Sequence, residues 1–175
     1  MTRIAVIGLG YIGLPTATVL ALRGFDVLGV DVSQQVVDTL KQGKIHIVEP
    51  DLDISVAAAI QSGSLQVSTK PTPADVFIIA VPTPFKDGHE PDLAYVEAAS
   101  LAIAPHLVPG NLVILESTSP VGTTQKVSEW LARERPDLEL PHDHPQDANI
   151  NVAHCPERVL PGRIMTELVD NDRII

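Results

Sequence analysis

The sequence predicts an α/β protein with one doubly wound, six-stranded parallel sheet and helices on both of its faces. Short apolar runs alternate with helix-like stretches along the whole chain, which is typical of a parallel sheet covered on both sides. The first run ends in a glycine-rich turn that opens into a helix, and the second ends in an acidic residue. The chain has 175 residues, which is enough for one sizeable domain with a full core.

Six apolar runs are predicted as strands because they are short, rich in branched side chains and bounded by turn residues. They lie at Ile4–Ile7, Val27–Val30, Leu65–Ser68, Val76–Val81, Leu112–Leu115 and Ile150–His154. Five helices are predicted between them, at Ile12–Leu22, Gln34–Gln42, Ile54–Gln61, Leu93–Ala104 and Thr123–Arg133. Ser33 and Asp92 are suitable N-caps, and Gly24, Gly43 and Gly63 follow predicted helices, where a left-handed residue is favoured.

The turn Gly8-Leu9-Gly10-Tyr11-Ile12-Gly13 joins the first strand to the first helix. In such a turn the first glycine permits a sharp bend, the second allows backbone N–H groups to approach a pyrophosphate, and the third allows close packing of the helix. The phosphates then lie at a helix N-terminus, where free N–H groups and the positive dipole end favour anions. The turn therefore predicts a dinucleotide site on a Rossmann-type sheet.

Asp31 ends the second strand, about 20 residues beyond the glycines, where this fold places an acidic residue. A carboxylate there accepts hydrogen bonds from the adenosine ribose and repels a 2′-phosphate, so NAD is predicted rather than NADP. Residues 32–35 contain no Arg or Lys that would pair with such a phosphate. The alternative is that Asp31 only caps the next helix, a role for which Ser33 is better placed.

Composition excludes several classes of partner. The formal net charge is −10, which is the wrong sign for binding nucleic acid or an anionic membrane surface. No apolar stretch reaches about 18 residues without a charge, so no membrane span is expected. Cys155 is the single cysteine, and the N-terminus enters a strand without a signal-peptide pattern, so a cytoplasmic location is expected.

Loops beyond the carboxyl ends of the strands are the candidate site, because ligands of open α/β sheets bind there. Thr83 follows the fourth strand between two prolines and is expected to face the cleft. Residues 116–124 follow the fifth strand and are dense in hydroxyls, which suits a nicotinamide, a ribose or a positioned water. The alternative is that these hydroxyls cap the next helix, although a cap needs only one side-chain oxygen.

Glu157 and Arg158 follow the sixth strand. A carboxylate there can position water or act as a base, and the planar guanidinium can hold an anionic substrate. The alternative is an ordinary surface ion pair, which contributes little. No metal site is predicted at His142 and His144, because a second set of ligands with fixed geometry is lacking.

Five segments, in order along the chain, resemble the nucleotide-sugar 6-dehydrogenases of the UDP-glucose/GDP-mannose dehydrogenase family. They are residues 8–15 (GLGYIGLP), 47–52 (IVEPDL), 81–85 (VPTPF), 116–122 (ESTSPVG) and 155–162 (CPERVLPG). The resemblance implies a two-step, NAD-dependent oxidation of a sugar C6 alcohol to a carboxylate, through a cysteine-bound thiohemiacetal and thioester.

The resemblance also implies roles for individual residues. The NAD site is implied to include Gly8, Gly10, Tyr11, Ile12, Gly13, Asp31, Thr83, Thr118 and Thr124. Thr118 and Glu157 match residues that help to position a catalytic water. Arg158 and Val159 match the stretch that contacts the UDP-sugar substrate.

The chain departs from the family in lacking the Gly-Gly-His-Cys type motif of the nucleophile and the helix that carries the lysine acid/base. Cys155 precedes Pro156 in a different segment without a basic neighbour, so it is not expected to be the nucleophile. Residues 1–175 are therefore expected to be an isolated NAD-binding domain, inactive by itself. The long central helix and the C-terminal UDP-sugar domain would be absent, and the longer enzyme is expected to be a homodimer through that helix.

Two other functions remain open at this point. The chain could be the domain of a UDP-glucose or a GDP-mannose 6-dehydrogenase rather than of another family member. It could also be a standalone NAD-binding module without turnover.

Overall fold

The strands form a single six-stranded sheet in the order β3-β2-β1-β4-β5-β6, and every neighbouring pair is parallel. The computed structural model describes residues 1–172, apart from the side chain of Asp87; the end of the predicted domain, at 173–175, lies outside them. The strands are β1 Arg3–Ile7, β2 Asp26–Val30, β3 Leu65–Ser68, β4 Val76–Ile79, β5 Leu112–Leu115 and β6 Asn151–His154. The predicted Rossmann-type sheet is confirmed.

All five predicted helices are present, and a sixth follows β6. The helices are α1 Gly13–Leu22, α2 Gln34–Lys41, α3 Leu52–Ser62, α4 Ala94–Ile103, α5 Thr123–Glu134 and α6 Ile164–Asp170, with short 3₁₀ turns at Asp87–His89 and Ala104–His106. Ser33 caps α2, since its hydroxyl accepts a hydrogen bond from the backbone N–H of Val36. Gly24, Gly43 and Gly63 all have positive φ, as expected after a helix.

Alternate residues of the central strands bury their side chains on opposite faces of the sheet, as the period of a strand requires. Ile4 and Val6 of β1 belong to a cluster with α1, α2 and α3, which we call the α1-side cluster. Ala5 and Ile7 belong to a second cluster with α4 and α5, the α4-side cluster. Both faces of the sheet are therefore covered.

The main differences from the predicted elements lie at the carboxyl end of the sheet. β4 was expected to reach Val81 but ends at Ile79, the residue that pairs with Leu115 at the end of β5. The N–H of Ala80 still bonds to the carbonyl oxygen of Ile7 in β1 (2.8 Å), and residues 80–83 form part of a cleft wall. Helix α6 was not predicted, because it is only seven residues long and follows Pro161 and Gly162.

Candidate functional site

A cavity of about 440 Å³ opens at the carboxyl ends of β1 and β4, where the strand order reverses. This is the position at which open α/β sheets bind their ligands. The cavity is lined by residues 8–12 of the glycine turn, Asp31, residues 80–83 after β4, residues 116–118 after β5, and Glu157 after β6. The structure thus brings together all but four of the predicted site residues: Gly13, which lies beneath the turn, and Thr124, Arg158 and Val159.

The glycine turn is held close to the sheet at two of its three glycines. Gly8 has a φ of 94°, and a Cβ there would lie 2.7 Å from the carbonyl oxygen of Ala80. A Cβ on Gly13 would lie 1.8 Å from the carbonyl oxygen of Gly8. By contrast, a Cβ on Gly10 would meet no atom within 4 Å, so the space above Gly10 can receive a ligand.

The N-terminus of α1 borders this space. The helix begins at Gly13, has no side-chain cap and carries no acidic residue in its first turn. The N–H of Leu14 makes the first regular bond, to the carbonyl of Gly10 (3.1 Å). Free N–H groups and the positive end of the helix dipole favour an anion at such a terminus. The site therefore fits a pyrophosphate.

Asp31 ties the end of β2 to the glycine turn. One of its oxygens accepts from the N–H of Leu9 (3.0 Å) and the other from the N–H of Ser33 (2.9 Å). Each carboxylate oxygen has a further lone pair, so these bonds leave acceptor capacity for a ribose. The cap of α2 belongs to Ser33, which removes the main alternative role for Asp31.

A second, mostly apolar cavity of about 310 Å³ adjoins the first, and Gly8 and Asp31 line both. Its far wall is helix α4, through Tyr95, Ala98, Ala99 and Ala102. A slot of this kind suits a flat heterocycle such as adenine. Sequence reasoning missed these residues. The available signal was the run of alanines in α4, which leaves room beside the sheet.

Hydroxyl groups link the two loops that follow β4 and β5. The hydroxyl of Thr83 donates to the carbonyl oxygen of Thr118, and that of Ser117 donates to the carbonyl oxygen of Val81 at 2.7 Å. Helix α5 begins after Gly122, which makes no side-chain cap bond. Ser117 and Thr83 therefore stabilise the cleft wall, and neither caps α5.

Glu157 lines the cleft, and its carboxylate accepts from the N–H of Val159 at 2.5 Å. Arg158 is exposed and lies outside the cleft lining, near Asn171 and Asp172. Within residues 1–172, Glu157 and Arg158 do not form the surface ion pair considered as the alternative. The substrate roles of Arg158 and Val159 remain predictions.

Thr124 also lies outside the cleft lining. It lines a separate surface hollow with Ser128 and His142, so its contact with NAD remains a prediction. His142 bonds to the hydroxyl of Ser128 (2.8 Å) and to Asp143 (3.0 Å). The described part of the chain contains no group of three or more His, Cys, Asp and Glu residues that could hold a metal ion.

Glu116 is a cleft residue to which the sequence analysis gave no role. It follows the last residue of β5, is only 3% exposed, and accepts a hydrogen bond from the hydroxyl of Thr16 in α1 (3.1 Å). Thr16 is 100 positions away in sequence, so no local pattern indicates the contact. The available signal was its place at the carboxyl end of a strand, where ligands bind.

Three carboxylates hold the loop that carries Arg158 and Val159. Glu49 is buried and accepts from the N–H groups of Gly162 (2.8 Å) and Ile164 (2.7 Å). Glu167 accepts from the N–H of Leu160 (2.8 Å), and Glu157 accepts from Val159 as described above. The loop is thereby fixed to the segment before α3, which belongs to the predicted family motif at 47–52.

Known proteins similar in sequence match almost the whole of this chain. The chain is 63% identical over 172 residues to an NDP-N-acetyl-D-galactosaminuronic acid dehydrogenase of Ralstonia nicotianae, covering 98% of this chain and 41% of that protein. It is 60% identical over 174 residues to a UDP-N-acetyl-D-mannosamine dehydrogenase of Campylobacter jejuni, covering 99% and 43%. The chain thus spans about two fifths of the length of the curated relatives it matches.

A solved structure gives the same result. The chain superposes on the UDP-N-acetyl-mannosamine dehydrogenase of Staphylococcus aureus with a TM-score of 0.89 at 44% identity, covering 98% of this chain and 40% of that one. Among the described residues, no helix is long and apolar enough to cross a membrane. Residues 2–175 match the NAD-binding domain of one family. The chain therefore belongs to the UDP-glucose/GDP-mannose dehydrogenase family, of which it is the NAD-binding domain.

Proposed function

We propose that this domain binds NAD along the cleft and presents it to a nucleotide sugar held by the longer enzyme. The free N-terminus of α1 beneath the open space at Gly10 carries this proposal. It would receive the pyrophosphate, with the adenosine ribose at Asp31 and the adenine in the apolar slot beside α4. The nicotinamide end of the cleft then lies towards β5, where Thr83, Thr118 and Glu157 line it.

The proposed overall reaction is the oxidation of a C6 alcohol to a carboxylate. One CH₂OH group, two NAD⁺ and one water give one carboxylate, two NADH and three protons. NAD accepts the hydride in each of the two oxidations. Within this domain, Thr118 and Glu157 would hold the water that is added, since a fixed orientation can speed such a step greatly. Arg158 would hold the anionic nucleotide through its guanidinium.

We propose UDP-N-acetyl-D-mannosamine as the sugar nucleotide, because relatives with that activity in their names are 58–60% identical to this chain. A second candidate is an N-acetylgalactosamine nucleotide, since the Ralstonia relative at 63% identity is named for N-acetyl-D-galactosaminuronic acid. Assay of the longer enzyme with both nucleotides, followed by NADH absorbance, distinguishes them.

Calorimetric titration of this chain tests the cofactor proposal. We expect NAD to bind about tenfold or more tightly than NADP, because the Asp31 carboxylate repels the 2′-phosphate. Gly10→Val is expected to abolish NAD binding, since its side chain would fill the space for the pyrophosphate. The fold should tolerate it, because a Cβ at Gly10 meets no protein atom. Equal affinity for NADP would remove the role given to Asp31.

The water-positioning role is tested in the longer enzyme with Glu157→Gln, which keeps the shape and removes the charge. We expect slower hydrolysis and accumulation of the covalent intermediate on the enzyme, detected by intact-protein mass spectrometry, with NAD affinity little changed. Normal turnover of the variant, or loss of NAD binding in proportion to activity, would contradict this role.

A further inference from the structure

The side chains that line the cleft carry a negative formal charge. Among the described residues that line it, three are acidic (Asp31, Glu116 and Glu157) and none is Lys or Arg. The free N-terminus of α1 supplies positive potential at one point of the cleft. Elsewhere the lining carries only negative formal charge, which favours the less negative of two otherwise similar ligands.

Glu116 lies at the end of the cleft where the nicotinamide is proposed to bind. The strand order places β2, with Asp31 at its end, on one side of the glycine turn, and β4 and β5 on the other. Because Asp31 marks the adenosine end, the nicotinamide end lies towards β5. Glu116 directly follows β5 and leans against α1 through Thr16.

The surroundings of Glu116 are poorly solvated. The residue is 3% exposed, and it also lines a mostly apolar hollow of about 240 Å³ beneath the cleft, with Ile78, Ile114 and Cys155. A charge in such surroundings interacts more strongly with a nearby ionic group than a charge in bulk water does. The side chains of Asp31 and Glu157 are less buried.

We propose that Glu116 is a specificity-determining residue that favours oxidised over reduced NAD. The nicotinamide ring is cationic in NAD⁺ and neutral in NADH, while the rest of the two molecules is the same. A carboxylate beside the ring stabilises the first form selectively. This inference rests on the proposed placement of NAD in the cleft.

A preference for NAD⁺ over NADH would assist an oxidation that proceeds in two steps. After the first hydride transfer, NADH has to leave and a second NAD⁺ has to enter before the second transfer. Loss of the ring's positive charge on reduction removes its attraction to Glu116. The site thus binds the product cofactor less tightly at the point where the reaction requires exchange.

The test is the ratio of NAD⁺ and NADH affinities in this chain, measured by calorimetry for both cofactors and by NADH fluorescence. We expect Glu116→Gln to lower the affinity for NAD⁺ relative to NADH by about three- to tenfold. The amide oxygen of Gln can still accept the bond from Thr16. Glu129→Gln is the matched control, because Glu129 is exposed on α5 and outside the cleft, and it should leave the ratio unchanged.

Thr16→Val distinguishes an effect of the Glu116 charge on the affinity ratio from an effect of the hydrogen bond that Glu116 accepts. It removes the hydrogen bond and keeps the carboxylate, so we expect the wild-type ratio to persist. The proposal is overturned if E116Q leaves the ratio unchanged, or if E116Q and T16V weaken both cofactors equally. Should E116Q fail to fold, Glu116→Met takes its place, because Met is similar in length and neutral and suits the apolar hollow beside residue 116. The relative preference for NAD⁺ must then fall, and a constant ratio would overturn the proposal.

Failure of this inference is distinguishable from failure of the proposed function. If the wild-type chain binds neither cofactor, the placement of NAD is wrong. If it binds NAD and the ratio does not respond to Glu116, the placement stands and only the charge effect is wrong.

Discussion

Gly10 and Gly13 belong to the same turn but have opposite requirements for space. At Gly13 a Cβ would penetrate the backbone carbonyl of Gly8 at 1.8 Å and also approach the Cβ of Ala80 at 3.2 Å. Backbone atoms cannot move aside as the end of a flexible side chain can. At Gly10 the space is open. Gly13 is therefore required by the fold, whereas Gly10 leaves open the space in which we propose that the pyrophosphate binds.

This difference predicts opposite effects for two alanine substitutions. Gly13→Ala should destabilise the fold by about 3 kcal/mol or more, because α1 or the glycine turn must shift to relieve the clash. Gly10→Ala should change the free energy of unfolding by less than about 1 kcal/mol. Urea unfolding followed by circular dichroism measures both. Equal stability of the two variants would mean that the turn relaxes freely.

At the scale of elements, the buried carboxylate of Glu49 connects the segment before α3 to the start of α6. Its two oxygens satisfy the N–H groups of Gly162 and Ile164. A buried donor left without a partner costs about 1–3 kcal/mol. Helix α6 therefore depends on a residue more than 110 positions earlier in the chain.

Glu49→Ala should accordingly lower stability by about 2–5 kcal/mol, since it leaves the buried N–H of Ile164 and the partly buried N–H of Gly162 without this acceptor. Hydrogen exchange should accelerate at residues 157–164 more than in β1 or β4. Asp53→Ala is the control, because Asp53 is exposed in the first turn of α3, where a charge contributes less than about 1 kcal/mol. Unchanged exchange at 157–164 would exclude Glu49 as the residue that holds this loop.

The same contacts explain which elements the sequence could predict. Strands β1 and β2 and helices α1 and α2 have local signals: apolar runs, a glycine turn and a serine cap. Helix α6 has none, because its first turn is satisfied by Glu49 from a distant segment. The end of β4 was also missed, because apolar residues continue past Ile79 while the pairing with β5 stops there.

At the scale of the whole molecule, the predicted sheet topology was enough to locate most of the candidate site. Residues 8–12, Asp31, Thr83, Thr118 and Glu157 come from five separate segments, and the rule for ligand binding at strand ends predicted that they would meet. The rule does not say which side chains face the cavity. Glu116 and the slot beside α4 depend on side-chain packing across long sequence separations, which one sequence without contacts does not encode locally.

The order of the strands along the chain also determines which of the two apolar clusters can be completed first during synthesis. Every buried member of the α1-side cluster lies within residues 4–80, and only partly buried side chains that pack against it come from later segments. The α4-side cluster uses Ala5, Ile7, Leu28 and Val30 from the same strands, but its partners extend to Ile150. A nascent chain that has emerged to residue 80 can close one face of its sheet while the other face stays bare. Until α4 and α5 have left the ribosome, the exposed apolar face can bind a chaperone or cause aggregation.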